Sequence, residues 1–105
     1  MIRASFLYPT TAGTRFDFDY YLERHVPMAR RLLEGLGLVK LEVDRGVSGE
    51  EPGSAPRYVC VAHLYFETLD AFHRAMETAG DELGADVPNY TDVEIETQVS
   101  DIVAG

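Results

Sequence analysis

Residues Tyr58 to Phe66 read Tyr-Val-Cys-Val-Ala-His-Leu-Tyr-Phe, an almost unbroken apolar run between Arg57 and Glu67. The run is too short for an ordinary buried helix, and Val, Tyr and Phe suit a pleated surface, so it reads as a strand. It is apolar at odd and even positions alike, which implies cover on both faces. Downstream, Thr68 is placed to cap a helix, with Asp70 in its first turn and Leu69, Phe72, Met76, Ala79 and Leu83 at helical spacing. Gly80 and Gly84 weaken the end of that helix. Pro88, Asn89 and Tyr90 then form a turn. The last strand runs from Thr91 to about Val103, with Val93, Ile95, Thr97 and Val99 alternating against Asp92, Glu94, Glu96 and Gln98.

Upstream of the run, Ser48 to Arg57 holds two glycines and two prolines and reads as a loop. Before it, Val39 to Val47 alternates as a half-buried strand. The chain begins with another short strand, Ile2 to Tyr8, ended by Pro9, and a loop over Thr10 to Arg15. A long helix follows from about Asp17 to Glu34. Asp17 caps it, Phe18, Leu22, His25, Ala29 and Leu32 form its apolar stripe, Tyr21 and Met28 flank the stripe, and Gly35 and Gly37 end it. Pro27 lies inside this helix. It has no N–H to donate and its ring crowds the Glu23 carbonyl, so the helix is expected to bend or open there.

The element order is β-α-β-β-α-β, an α+β ferredoxin-like sandwich in which both helices cover one face of an antiparallel sheet, here as one domain over residues 1–105. The first and third strands carry apolar residues on the other face too, among them Leu7 and Val61. A second copy of the sheet is the simplest cover, which predicts a homodimer through the sheet face.

Composition narrows the function classes. Nine basic and 18 acidic residues give a formal charge of −9, which argues against nucleic acid and anionic membranes as partners. No run approaches the ~18 apolar residues that span a bilayer. The N-terminus reads as a strand and not as a signal peptide. The single Cys60 fits a reducing, cytoplasmic setting and has no companions for a thiolate metal site. No His-x-x-x-His pairing and no Gly-rich phosphate loop appear, so neither a metal nor a nucleotide cofactor is expected. No Ser-His-Asp grouping can be assembled from the sequence.

His25 is the sharpest chemical candidate. It lies on the buried stripe of the first helix, one turn after Tyr21, where an imidazole can take or give a proton. The plainer alternative is a core histidine bonded to a carbonyl or a tyrosine. Tyr21 is placed to bind a ligand oxygen or to orient His25 at i+4. Phe6 and Tyr8 would line the same space if they face the helices. His63 and Tyr65 share one face of the third strand, and the sequence leaves open whether that face meets the helices or a partner sheet. Asn89 and Tyr90 stand at the entry to the last strand, where they would either close the mouth of the same pocket or, as the plainer reading, simply form a turn. His73 falls beside the stripe of the second helix, on the surface.

The segment Arg15-Phe16-Asp17-Phe18-Asp19-Tyr20-Tyr21-Leu22-Glu23-Arg24-His25-Val26-Pro27-Met28, an aromatic-rich helix start leading into His-x-Pro, resembles the signature of the EthD family. Glu42-Val43-Asp44-Arg45-Gly46, His63-Leu64-Tyr65-Phe66 and Val87-Pro88-Asn89-Tyr90-Thr91-Asp92 resemble it as well. The resemblance implies a dimeric α/β barrel and a pocket beside His25. It is less specific about chemistry, because the family is named for a link to ethyl tert-butyl ether degradation and has no general reaction. Together these readings point to a cofactor-independent enzyme acting on a small apolar oxygenated or aromatic compound, by proton-transfer or oxidoreductase-type chemistry in xenobiotic or polyketide metabolism. The alternatives are a non-catalytic protein that holds such a ligand for an oxygenase pathway, and a haem-handling protein of the same fold.

Overall fold

In the computed structural model, which describes residues 1–105, four strands and two helical segments follow one another as β1 (Ile2–Pro9), α1 (residues 18–33), β2 (Lys40–Arg45), β3 (Tyr58–Phe66), α2 (Leu69–Asp86) and β4 (Glu96–Asp101). The sheet order is β2-β3-β1-β4 and every neighbouring pair is antiparallel. This is the ferredoxin-like α+β arrangement, with the apolar β3 run and β1 at its centre. The β1–β3 register places Ala4, Phe6 and Tyr8 opposite Leu64, Ala62 and Cys60. These even-numbered residues face the helices and form the core with Leu33, Phe72, Ala75 and Ala79. Cys60 is fully buried there, and burial pushes its thiol up to about 12, so it is not a nucleophile at neutral pH.

Asp17 caps α1 by accepting from the Tyr20 N–H at 3.0 Å, and Thr68 caps α2 by accepting from the Ala71 N–H at 3.1 Å. The helix disturbance expected at Pro27 takes a definite form. Between α-helical Phe18–Tyr20 and Val26–Leu33, residues Tyr21–His25 make a wide π turn, closed by the Val26 N–H on the Tyr21 carbonyl. One residue more than usual fits into that turn and rotates the buried face. The observed buried residues are Tyr21, His25, Val26, Ala29 and Leu33, whereas Leu22, expected on the stripe, is 45% exposed. A 3₁₀ turn, Glu34–Leu36, and Gly37 at φ 101° then end the helix.

Two other expectations are corrected. The last strand is shorter than Thr91 to Val103: regular pairing covers only Glu96–Asp101, and Thr91 makes an isolated bridge to Phe16. Residues 87–92 instead tie down the start of α1. The Tyr90 carbonyl accepts from the Asp17 N–H at 2.8 Å, the Thr91 hydroxyl donates to the Arg15 carbonyl at 2.6 Å, and the Arg15 guanidinium donates to the Pro88 carbonyl at 2.7 Å. The outer sheet face is also less apolar than expected. Half-buried Leu7 and Val61 share it with a ladder of polar side chains from β1, β2 and β3. Its strands alternate, and the odd positions of β3 end in His63 and Tyr65.

Candidate functional site

A cavity of about 170 Å³ lies between the sheet and the two helices. Of its 16 lining residues, 13 are hydrophobic, so its contents must be largely apolar. Phe6 and Tyr8 reach it from β1, Tyr21 and His25 from the π turn, and Tyr90 from the loop before β4.

The polar end of the cavity is built around His25. Its Nδ1 lies 2.9 Å from the Asp86 carboxylate, and its side chain is only 10% exposed. Asp86 was not singled out by the sequence analysis, yet it organises the site. Its Oδ1 accepts from the Tyr20 hydroxyl at 2.6 Å and from the Asn89 amide at 2.9 Å, while Oδ2 faces His25. Burial acts to raise the Asp86 carboxyl, but the hydrogen bonds from Tyr20, Asn89 and His25 outweigh it and hold the group below the usual aspartate value. A carboxylate can only accept, so the Nδ1 of His25 carries the proton and the neutral ring has its lone pair on Nε2. Nε2 makes no hydrogen bond within the protein. One signal for Asp86 was available: an acid in the last turn of a helix opposes the macrodipole and asks for partners.

Aromatic rings fix the imidazole from the other sides. Tyr21 stacks on it at 5.3 Å with a 17° tilt, and Tyr90 lies at 4.7 Å. The i, i+4 pairing of Tyr21 with His25 is the geometry the π turn permits. The Tyr8 and Tyr90 hydroxyls meet at 2.8 Å. Burial pushes the Tyr8, Tyr21 and Tyr90 phenols above the ordinary tyrosine range, so all three are neutral at physiological pH.

The other residues singled out in the sequence lie elsewhere. Asn89 does not line the cavity; it is exposed and serves Asp86 from behind. His63 and Tyr65 are on the outer sheet face, because Cys60, Ala62, Leu64 and Phe66 take the helix-facing positions of β3. There His63 Nδ1 meets the Ser5 hydroxyl at 2.9 Å and Nε2 meets Asp44 at 2.9 Å. The structure thus does assemble serine, histidine and aspartate. However, β1 and β3 are paired on both edges, which commits their backbone N–H groups to the ladder and leaves no oxyanion donors beside Ser5. The Tyr65 hydroxyl donates to Glu42 at 2.7 Å and accepts from Arg3 at 3.1 Å, and the ring lies under Arg3 and Lys40. His73 is exposed. No three His, Cys, Asp or Glu side chains gather as metal ligands, and no helix is long and apolar enough to cross a membrane.

Comparison with known proteins agrees with this architecture. The sequence matches the EthD domain model over residues 13–94. An EthD-like protein of known structure from Ralstonia eutropha JMP134 is 34% identical, with a TM-score of 0.91, covering 98% of this chain and 92% of that one. An EthD family protein from Bacillus halodurans C-125 is 22% identical, with a TM-score of 0.63 over 93% of this chain and 98% of that one. A dimeric ferredoxin-like protein from an uncultured marine organism shares the fold at 12% identity and a TM-score of 0.59, covering 99% of this chain and 95% of that one. No functionally curated protein matches the sequence.

Proposed function

The chain belongs to the EthD family, and from that premise we propose that it is a cofactor-independent proton-transfer enzyme for a small apolar compound carrying a carbonyl or hydroxyl oxygen. One observation carries the reading: an imidazole that lines an apolar cavity, anchored through Nδ1 to a carboxylate and with no protein partner on Nε2. Nε2 takes a proton from the carbon beside the ligand carbonyl, the C–H electron pair becomes the C=C bond of the enolate, and the carbonyl π pair moves onto the oxygen. The imidazolium is stabilised by Asp86 and returns the proton either to a ligand carbon, giving isomerisation, or to a departing hydroxyl, giving dehydration. The neutral Tyr21 and Tyr90 phenols line the same cavity and are available to the ligand oxygen.

The test is exchange of the protons beside the carbonyl of cyclohexanone in deuterated buffer, followed by NMR. The intact protein should exceed the buffer rate, and His25→Gln should lower the excess by about 10²-fold or more. Equal exchange in the two proteins would refute the acid–base role. Binding of cyclohexanone with no exchange would favour the second reading, a carrier of small ligands, which rests on the apolar lining.

The same proposal includes a homodimer through the outer sheet face, as the dimeric fold relative suggests. Leu7 and Val61 supply apolar area there. The polar side chains between them already satisfy one another, Ser5 with His63 and Asp44, and Arg3 with Tyr65 and Glu42. Groups paired in this way can lose water without being left unsatisfied. Val61→Asp sets an unpaired charge at the centre of that face and should convert the dimer to monomers in light scattering after size exclusion. A dimer that persists would place the interface elsewhere.

A further inference from the structure

Two glycines on one face of α2, Gly80 and Gly84, line the cavity opposite the aromatic cluster. Neither has the positive φ that reserves a position for glycine. A side-chain carbon built on Gly84 meets nothing within 4 Å, and one built on Gly80 meets only the Met76 Cβ at 4.0 Å. The protein's own packing therefore does not require glycine at either place. Inside a helix, glycine is less favourable than every other residue except proline. What the two positions supply is space in the cavity that His25 also lines, and the Nε2 of His25 is unpartnered while the residue is only 8% exposed. Gly80 is the inner of the two, and Gly84, exposed to solvent, marks the mouth.

The volume bounds what can enter. A dry cavity of about 150 Å³ lined by apolar side chains holds one benzene ring. At about 170 Å³, this cavity has room for one ring and a small substituent, and a second fused ring would have to reach out through the mouth beside Gly84. We infer that the site is cut for a single-ring ligand bearing one oxygen, with Gly80 and Gly84 as the residues that set its size. The inference rests on the cavity beside His25 being the binding site proposed above, and adds the size class of its ligand. The aromatic walls, Phe6, Tyr8, Tyr21 and Tyr90, offer faces and edges that suit a flat or chair-like ring.

The test uses cyclohexanone and its fused two-ring counterpart 1-decalone, with affinities from protein-observed NMR titration. Cyclohexanone should bind the unaltered protein at least tenfold more tightly than 1-decalone. Gly80→Leu, a good helix former whose side chain fills the cavity, should weaken cyclohexanone binding at least tenfold while the melting temperature is unchanged or higher. Gly80→Ala should fall between the two and serves if the leucine variant does not fold. Equal affinity for both ketones, or unchanged affinity in the folded Gly80 variants, would overturn the inference. Size selectivity without His25-dependent exchange would leave this inference standing and remove the proposed chemistry. His25-dependent exchange of 1-decalone as fast as that of cyclohexanone would do the reverse.

Discussion

Asp86→Asn is expected to abolish most His25-dependent proton transfer, by about 10²- to 10⁴-fold, without unfolding the protein. The reason lies in how the replacement amide must sit. Tyr20 and Asn89 both donate to Oδ1 of residue 86, so the amide oxygen is held on their side. The amide nitrogen is then turned toward His25 Nδ1, which must accept instead of donate. The imidazole proton moves to Nε2, and the base at the cavity becomes a hydrogen-bond donor. The nitrogen chemical shifts of His25 report this tautomer directly, and a merely structural role for Asp86 would not change them. Unchanged tautomer and unchanged exchange in the variant would refute the assignment. The same substitution tests a pH linkage. Because the folded Asp86 carboxyl lies below its ordinary value of about 3.9, its stabilising contribution is fully present above that value and is lost as pH falls through the lower folded value. The Asn variant should therefore be less stable at neutral pH and show a flatter acid limb in denaturation measured against pH.

Tyr90→Ala should produce the largest loss of stability of any single change at the site. The residue is fully buried and its ring contacts those of Tyr8, Phe16, Tyr21 and His25, with centroids 4.7–5.9 Å away. Truncating a buried aromatic of this size costs about 3–5 kcal/mol, which lowers the melting temperature of a domain this small by more than about 12 °C. Here the added void joins the existing cavity, so there is little to collapse into it. Tyr90→Phe keeps the packing and removes only the hydroxyl that meets Tyr8 at 2.8 Å, for an expected cost of about 1–2 kcal/mol. Calorimetry on both variants separates packing from the hydrogen bond. Similar losses in the two would mean that the hydroxyl pair, and not the ring cluster, holds the loop before β4 in place.

Much of this arrangement is written in local signals. The apolar run Tyr58–Phe66, the caps Asp17 and Thr68, and the glycine ends of α1 lead to the ferredoxin-like order without any tertiary information. Helical periodicity made His25 and Tyr21 legible, Phe6 and Tyr8 followed only if their strand faced the helices, and Tyr90 was read from its place at the entry to the last strand; the cavity collects all five. Asp86 was not, because its role depends on a contact 61 residues away in the chain with His25, and no periodicity encodes such a contact. The face taken by His63 and Tyr65 stayed open because a strand apolar at nearly every position gives no clue to which face is which; the structure puts both on the outer face. The alternation over Thr91 to Val103 promised a longer strand, but Tyr90 and Thr91 spend their backbone groups on the start of α1.

The wide turn at Tyr21–His25 has a consequence for how relatives are lined up. It stores one residue that adds nothing to the length of the helix. A relative whose first helix winds uniformly would have one residue fewer between the Asp17 cap and Pro27. An ungapped alignment anchored at the cap would then pair His25 with the residue that follows the true counterpart, and the base would seem to be missing. A single gap, opened inside residues 21–25 and not in the loops on either side, restores the match.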